Sequence, residues 1–139
     1  MGARFWIFIA AVLGGLAVVA GAIGAHALPD GAGLAAPLRI YNTGQLYHAL
    51  HSLALLAVAL VMVQWKDRCA SFAGISLQIA AFAFVLGIVC FSGGIYVQVA
   101  RGFTSSSGIV PFGGMAFLVG WASLAIASLG LRDSPHTLS

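Results

Sequence analysis

The chain has 139 residues, 61% of them hydrophobic and 6% charged, with a mean hydropathy of +1.05. That composition excludes an ordinary soluble domain. Its net charge of +3 rests on six basic residues scattered over the connections, so no basic patch forms and nucleic acid is excluded as a partner.

Nine charged residues cut the sequence into uncharged stretches at 5–29, 40–65, 69–100 and 102–131. Each exceeds the roughly 20 residues that a helix needs to cross a hydrocarbon core about 30 Å thick. The expected fold is all-α and membrane-integral: an antiparallel bundle of four transmembrane helices forming a single domain over residues 1–139.

The first helix is predicted over about 5–27. Arg4 followed by an apolar run, with Ala25-His26-Ala27 beyond it, has the outline of a signal peptide. The run from Phe5 to Ile23 is too long for a signal h-region of about 7–15 residues, so it reads as a span. Leu28-Pro29-Asp30-Gly31 closes it. Residues 28–40, with Leu34, Leu38 and Ile40 beside Arg39 and Tyr41, read as a short interfacial segment. Asn42 with Gln45 makes an N-cap signal for a second helix over about 43–64, and Trp65 marks the opposite interface.

Lys66-Asp67-Arg68 forms a tight turn before a third helix over about 70–100, inside which Ser92-Gly93-Gly94 predicts a bend or close contact. A polar loop containing Thr104-Ser105-Ser106-Ser107 follows. Pro111 suits the first turn of a fourth helix over about 111–131. Residues 132–139 lack apolar periodicity and read as a mobile tail. No internal repeat suggests an inverted-repeat transporter.

Four spans put both termini and the middle turn on one side, with Arg4, Lys66, Arg68 and Arg132, against Arg39 and Arg101 on the other. The excess of positive charge predicts that both termini are cytoplasmic. Cys69 and Cys90 fall about 30 Å apart on the third helix, too far to pair, and they suggest neither a disulfide framework nor a cysteine metal site.

Small residues recur at spacings of three and four: Ala10, Gly14, Ala17, Gly21 and Gly24 in the first helix; Ala80, Ala83, Gly87, Cys90 and Gly94 in the third; Gly113, Ala116, Gly120, Ser123, Ala127 and Gly130 in the fourth. Helices in lipid associate through such seams because close backbone approach gains dispersion contacts. The seams serve self-association equally, so a homo-oligomer or a place in a larger membrane complex is compatible with them.

The polar residues gather at one end. His26 ends the first helix, Tyr47, His48 and His51 begin the second, Ser92 and Tyr96 lie in the outer part of the third, and Pro111-Phe112-Gly113-Gly114 opens the fourth. His48 and His51, three apart, are expected on one helix face. One reading is a zinc or copper site built from His26, His48 and His51 with Asp30 as a further group. The other is that the histidines satisfy polar groups at helix ends. A third reading is an intramembrane hydrolase with Ser92 as nucleophile and His51 as base; a membrane serine more often bonds its own backbone. A carboxylate relay is excluded, because there is no Glu and every Asp falls in a predicted connection. Gln78 and Ser76 read as interhelical hydrogen-bonding groups, and Trp6 and Trp65 as anchoring and packing residues.

Four motifs in order carry a family resemblance: Gly21-Ala22-Ile23-Gly24-Ala25-His26; Asn42-Thr43-Gly44 with Tyr47-His48-Ala49-Leu50-His51; Phe91-Ser92-Gly93-Gly94-Ile95-Tyr96; and Pro111-Phe112-Gly113-Gly114 with Phe117 and Gly120-Trp121. Over nearly the whole chain the sequence resembles the YgdD-like family of small membrane proteins, domain of unknown function 423, related to transmembrane protein 256. The resemblance implies a four-helix protein of the bacterial cytoplasmic membrane with no established activity. By motif, His26 and His51 match the family's histidines, and Ser92, Tyr96, Gly113 and Gly114 match the rest of its signature. His48 departs from the family's usual Gln, and Gly94 from a common Ser. A Gln would hydrogen-bond well but ligate metal poorly, which favours a polar network.

The expected function is therefore that of a non-enzymatic membrane bundle. Its cluster of His26, Tyr47, His48, His51, Ser92, Tyr96, Gly113 and Gly114 either holds the helix ends together or binds a small ligand or lipid headgroup, and membrane lipid is the expected partner.

Overall fold

The computed structural model describes residues 1–26, 35–65, 71–102 and 108–130. The Leu28–Gly31 turn, Asp30, Lys66-Asp67-Arg68, Cys69, the Thr104–Ser107 loop and the 132–139 tail lie outside the described residues.

Four apolar helical spans are present, as the charge spacing requires. The first is α1 (Ala3–His26) and the second α2 (Ala35–Gln64). The third is assembled from α3 (Ser71–Gly87), a π-helical turn (Ile88–Ser92) and α4 (Gly93–Ala100), and the fourth is α5 (Val110–Ser128). α1 packs chiefly on α2, α5 packs chiefly on α3 and the π turn, and α2 lies against the third span to join the two pairs.

α2 starts at Ala35, inside the stretch read from sequence as an interfacial connection. Pro37 does not prevent this, because in a first turn its missing N–H has no intrahelical partner to lose. Asn42 is consequently an exposed residue within the helix rather than its cap. Thr43 Oγ1 donates back to the Arg39 carbonyl at 3.0 Å, a bond four residues back that belongs to a helix interior.

The irregularity expected around Ser92–Gly94 is the π turn. There the Gly93 N–H donates to the carbonyl of Ile88, five residues earlier. At the end of α4, Gly102 takes φ +61° and its N–H bonds the Val99 carbonyl at 3.0 Å. Glycine is the residue that enters this left-handed conformation without strain, and it stops the helix.

The small seams are packing seams. Ala80, Ala83, Gly87, Cys90 and Gly94 are buried, as are Gly113, Ala116, Gly120, Ser123, Ala127 and Gly130. Any side chain at Gly113 would run into the Phe91 backbone, and one at Gly87 into the Phe117 ring. In α1, Ala10, Ala17 and Gly24 are buried against α2, while Gly14 meets nothing. The core between the seams holds Trp6, Leu55, Val58, Leu77, Phe84 and Phe117.

Two polar fasteners complete the bundle. Trp6 Nε1–H donates to Gln78 Oε1 at 2.9 Å, and Gln78 Nε2 donates to the Met1 carbonyl at 2.8 Å. Trp6 is thus a core residue, 2% exposed. On the α1–α2 contact, the Tyr41 hydroxyl donates to the Ala20 carbonyl at 2.7 Å and Gln45 Nε2 to the Ala17 carbonyl at 3.3 Å.

Candidate functional site

His48 and His51 do not share partners. Three residues along a helix amount to an offset of about 60° from a full turn, and α2 has neighbours on both sides, so that offset sends the two rings to different helices. His51 turns to α5; His48 turns toward α1 and α4.

His51 is 3% exposed. Its Nδ1 lies 2.8 Å from the Tyr47 carbonyl and its Nε2 3.3 Å from Trp121 Nε1. A carbonyl only accepts and an indole N–H only donates. The two partners together therefore define a neutral imidazole with the proton on Nδ1, which donates to Tyr47, and a lone pair on Nε2, which accepts from Trp121. The ring lies flat on Phe117, with centroids 3.5 Å apart and planes at 14°. Tyr47 stacks at 5.6 Å, and Phe84 approaches at 5.7 Å. Both nitrogens are committed, inside an aromatic cage.

His48 Nδ1 lies 3.3 Å from the Tyr96 hydroxyl, and the His48 carbonyl accepts from Ser52 Oγ at 2.8 Å. Its buried Nε2 has no hydrogen-bond partner. Beside it the Tyr41 and Tyr96 rings meet at 5.0 Å. These three side chains floor a lateral groove of about 470 Å³, walled by Val19 and Ile23 of α1 and Val99 of α4. The hydroxyl of Tyr41 is spent on Ala20 and that of Tyr96 on His48, so the floor turns mostly ring carbon to the groove.

Ser92 is fully buried at the end of the π turn, and its Oγ has no hydrogen-bond partner. A helical serine ordinarily bonds the carbonyl four residues back. Here that carbonyl, Ile88, receives Gly93 instead. Ser92 and His51 are not hydrogen-bonded, so the pair considered for hydrolysis is not assembled. Among the described residues no group of three His, Cys, Asp or Glu side chains gathers that could hold a metal ion. His26 closes α1 with an exposed ring and no hydrogen bond among the described residues.

Gly113 admits the Phe91 backbone, and Gly114 stands 3.9 Å from the Phe91 ring, measured from where its Cβ would lie. Gly113 makes room for the π turn, whereas a methyl at Gly114 would only come into ordinary contact. Tyr47 lies half open over Phe91, at 4.8 Å between rings. Tyr41 and Trp121, which hold the two halves of the cluster in place, were not among the sequence-predicted site residues. The sign of Tyr41 was its spacing: Tyr41, Gly44, His48, Ser52 and Leu55 form one stripe at helical period, legible once the helix is allowed to start before Asn42.

The family model described as "Protein of unknown function (DUF423)" matches residues 20–114, from the last turns of α1 to the first of α5. The UPF0382 membrane protein YwdK of Bacillus subtilis is 32% identical over 130 residues, covering 91% of this chain and 97% of the relative. The UPF0382 inner membrane protein YgdD of Escherichia coli is 32% identical over 132 residues, covering 95% of both chains. A UPF0382 membrane protein of Haemophilus influenzae is 36% identical over 126 residues, covering 88% of this chain and 92% of its own length. No solved structure matches.

Proposed function

The chain belongs to the DUF423 family of integral membrane proteins, whose curated relatives carry the name UPF0382, and from that premise we propose that it is a non-enzymatic bundle of the bacterial inner membrane in which the buried polar side chains fasten helices. The observation that carries this reading is the double commitment of His51, Nδ1 to Tyr47 and Nε2 to Trp121. A general base needs a free lone pair facing its nucleophile, and a metal ligand needs one facing the ion. His51 has neither to offer. Buried polar groups in hydrocarbon need internal partners, and His51, Tyr41, Gln45 and Ser52 find them within the bundle.

In this reading the protein acts through non-covalent contacts with lipid or other membrane chains. Both termini face the cytoplasm, following the four basic residues on that side against two on the other. The polar end of the bundle then lies toward the periplasm.

Two measurements on the purified full chain test the proposal. His51→Leu is expected to lower the thermal midpoint in mild detergent, and a serine-reactive phosphonate is expected to leave Ser92 unlabelled. Labelling of Ser92 that disappears in His51→Leu would restore the hydrolase and overturn the fastener.

A further inference from the structure

The end of the bundle away from His51 carries an open cleft of about 710 Å³, where the start of α1, the end of α2 and the first turns of α3 meet. Its lining includes Arg4, Met62, Val63, Gly74, Leu77 and Gln78. Gln78 is spent, since its Oε1 accepts from Trp6 and its Nε2 donates to the Met1 carbonyl. Arg4 is exposed and has no side-chain hydrogen bond among the described residues. Nor do those residues hold a carboxylate to pair with it, because the chain has no Glu and all three Asp fall outside them. The side-chain capacity left in the cleft is therefore a guanidinium, a fork of donors on a positive charge with no acceptor. Its complement is an anion with several oxygens.

The cleft also has room that no part of the described chain uses. A glycine inside a helix weakens it, and Gly87, Gly113 and Gly120 admit a neighbouring ring or backbone in return. Gly74, inside α3, does not: a side chain there would meet nothing within 4 Å. Val63, 51% exposed on a spanning helix, opens the cleft sideways to the bilayer. Arg4 ahead of one apolar run and Trp65 behind another set it at headgroup depth. An anion arriving from that direction at that depth is a lipid phosphate.

We infer that the cleft is a binding site for the headgroup of one anionic phospholipid, with its phosphate at Arg4 and its glycerol backbone over Gly74 and Leu77. A zwitterionic headgroup would bring a second cation beside Arg4, whereas an anionic one does not, so charge selects the lipid class. The inference rests on the reading of a lipid-contacting bundle and adds to it the class of lipid and its seat. It involves neither His51 nor Trp121, so its failure leaves their fastening role standing.

The test uses the full chain reconstituted in vesicles of phosphatidylcholine and phosphatidylglycerol at a ratio of about three to one, gently extracted and weighed by native mass spectrometry. One phospholipid per chain is expected, enriched several-fold in phosphatidylglycerol over the bilayer. Arg4→Gln should abolish the enrichment, while Arg39→Gln, which removes an exposed arginine near the opposite end of α2, should leave it intact. Gly74→Phe, which fills the cleft from a position with open space around it, should cut lipid retention about tenfold at unchanged thermal midpoint. Equal loss of enrichment in the two arginine variants, or loss in neither, overturns Arg4 as the phosphate site. Undiminished retention in Gly74→Phe overturns the cleft. Inorganic phosphate added before extraction should leave the lipid in place; its displacement overturns the lipid in favour of the free anion.

Discussion

The indole N–H of Trp121 reaches Nε2 of His51 at 3.3 Å, joining residues 70 positions apart in the chain and tying α5 to α2. Because the other ring nitrogen of His51 is held by Tyr47, this bond decides where the imidazole proton resides.

Trp121→Phe keeps an aromatic ring but strands the Nε2 lone pair, and it should cost about 1 kcal/mol, within the usual range for hydrogen bonds in membrane bundles. His51→Leu removes the acceptor and the stack on Phe117 together. The double variant should be less destabilised than the sum of the two, because the second change has no bond left to break. Reversible unfolding in mixed detergent micelles measures all three, and strict additivity would show the pair to be uncoupled.

Gly113 and Gly14 look alike in sequence and should behave oppositely. A methyl at Gly113 meets the Phe91 backbone, which cannot move aside without disturbing the π turn, so Gly113→Ala should cost about 2 kcal/mol. A methyl at Gly14 meets nothing within 4 Å. Gly14→Ala should therefore be neutral or stabilising by up to about 1 kcal/mol. The same unfolding assay reads both.

Tyr41→Phe deletes the 2.7 Å bond to the Ala20 carbonyl and should cost about 1 kcal/mol, with faster amide exchange in the last turns of α1. Tyr47→Phe is the control. The Tyr47 hydroxyl has no hydrogen-bond partner among the described residues, so its loss should leave stability unchanged.

Protein purified at neutral pH without added metal should carry well below one equivalent of zinc or copper by elemental mass spectrometry. One chelator-resistant equivalent, lost in His48→Gln, would reinstate a histidine metal site.

Reporter fusions at the two ends should both register a cytoplasmic location. A periplasmic signal from either end would reverse the topology drawn from Arg4, Lys66, Arg68 and Arg132.

Much of the fold was legible because bilayer thickness and charge exclusion act on composition alone: nine charges mark four spans. The small seams were legible for a similar reason, since close helix approach demands small side chains wherever it occurs, and the third- and fourth-helix sets are buried throughout. The start of α2 was not, because Pro37 and Arg39 look like a connection until the helix is seen to tolerate one in its first turn and the other exposed. The site was only partly legible. Convergence at one end followed from antiparallel direction, but the divergence of His48 and His51 depends on which helix stands on each side of α2. No periodicity within a single helix contains that information.

The π turn takes in one residue more than an α-helix would, which holds everything after it back by about 100° around the axis relative to an uninterrupted α-helix. Ala80, Ala83 and Gly87 can thus serve the contact with α5 while Ile95 and Tyr96, a few residues later on the same rod, are aimed at α2. Excising one residue of that turn, such as Val89, would leave a regular α-helical span with Tyr96 still facing His48, whereas closing the turn into α-helix with every residue kept would swing Tyr96 away. The third span therefore carries a phase as well as a length, and membrane insertion would accept either phase while the assembled bundle accepts one.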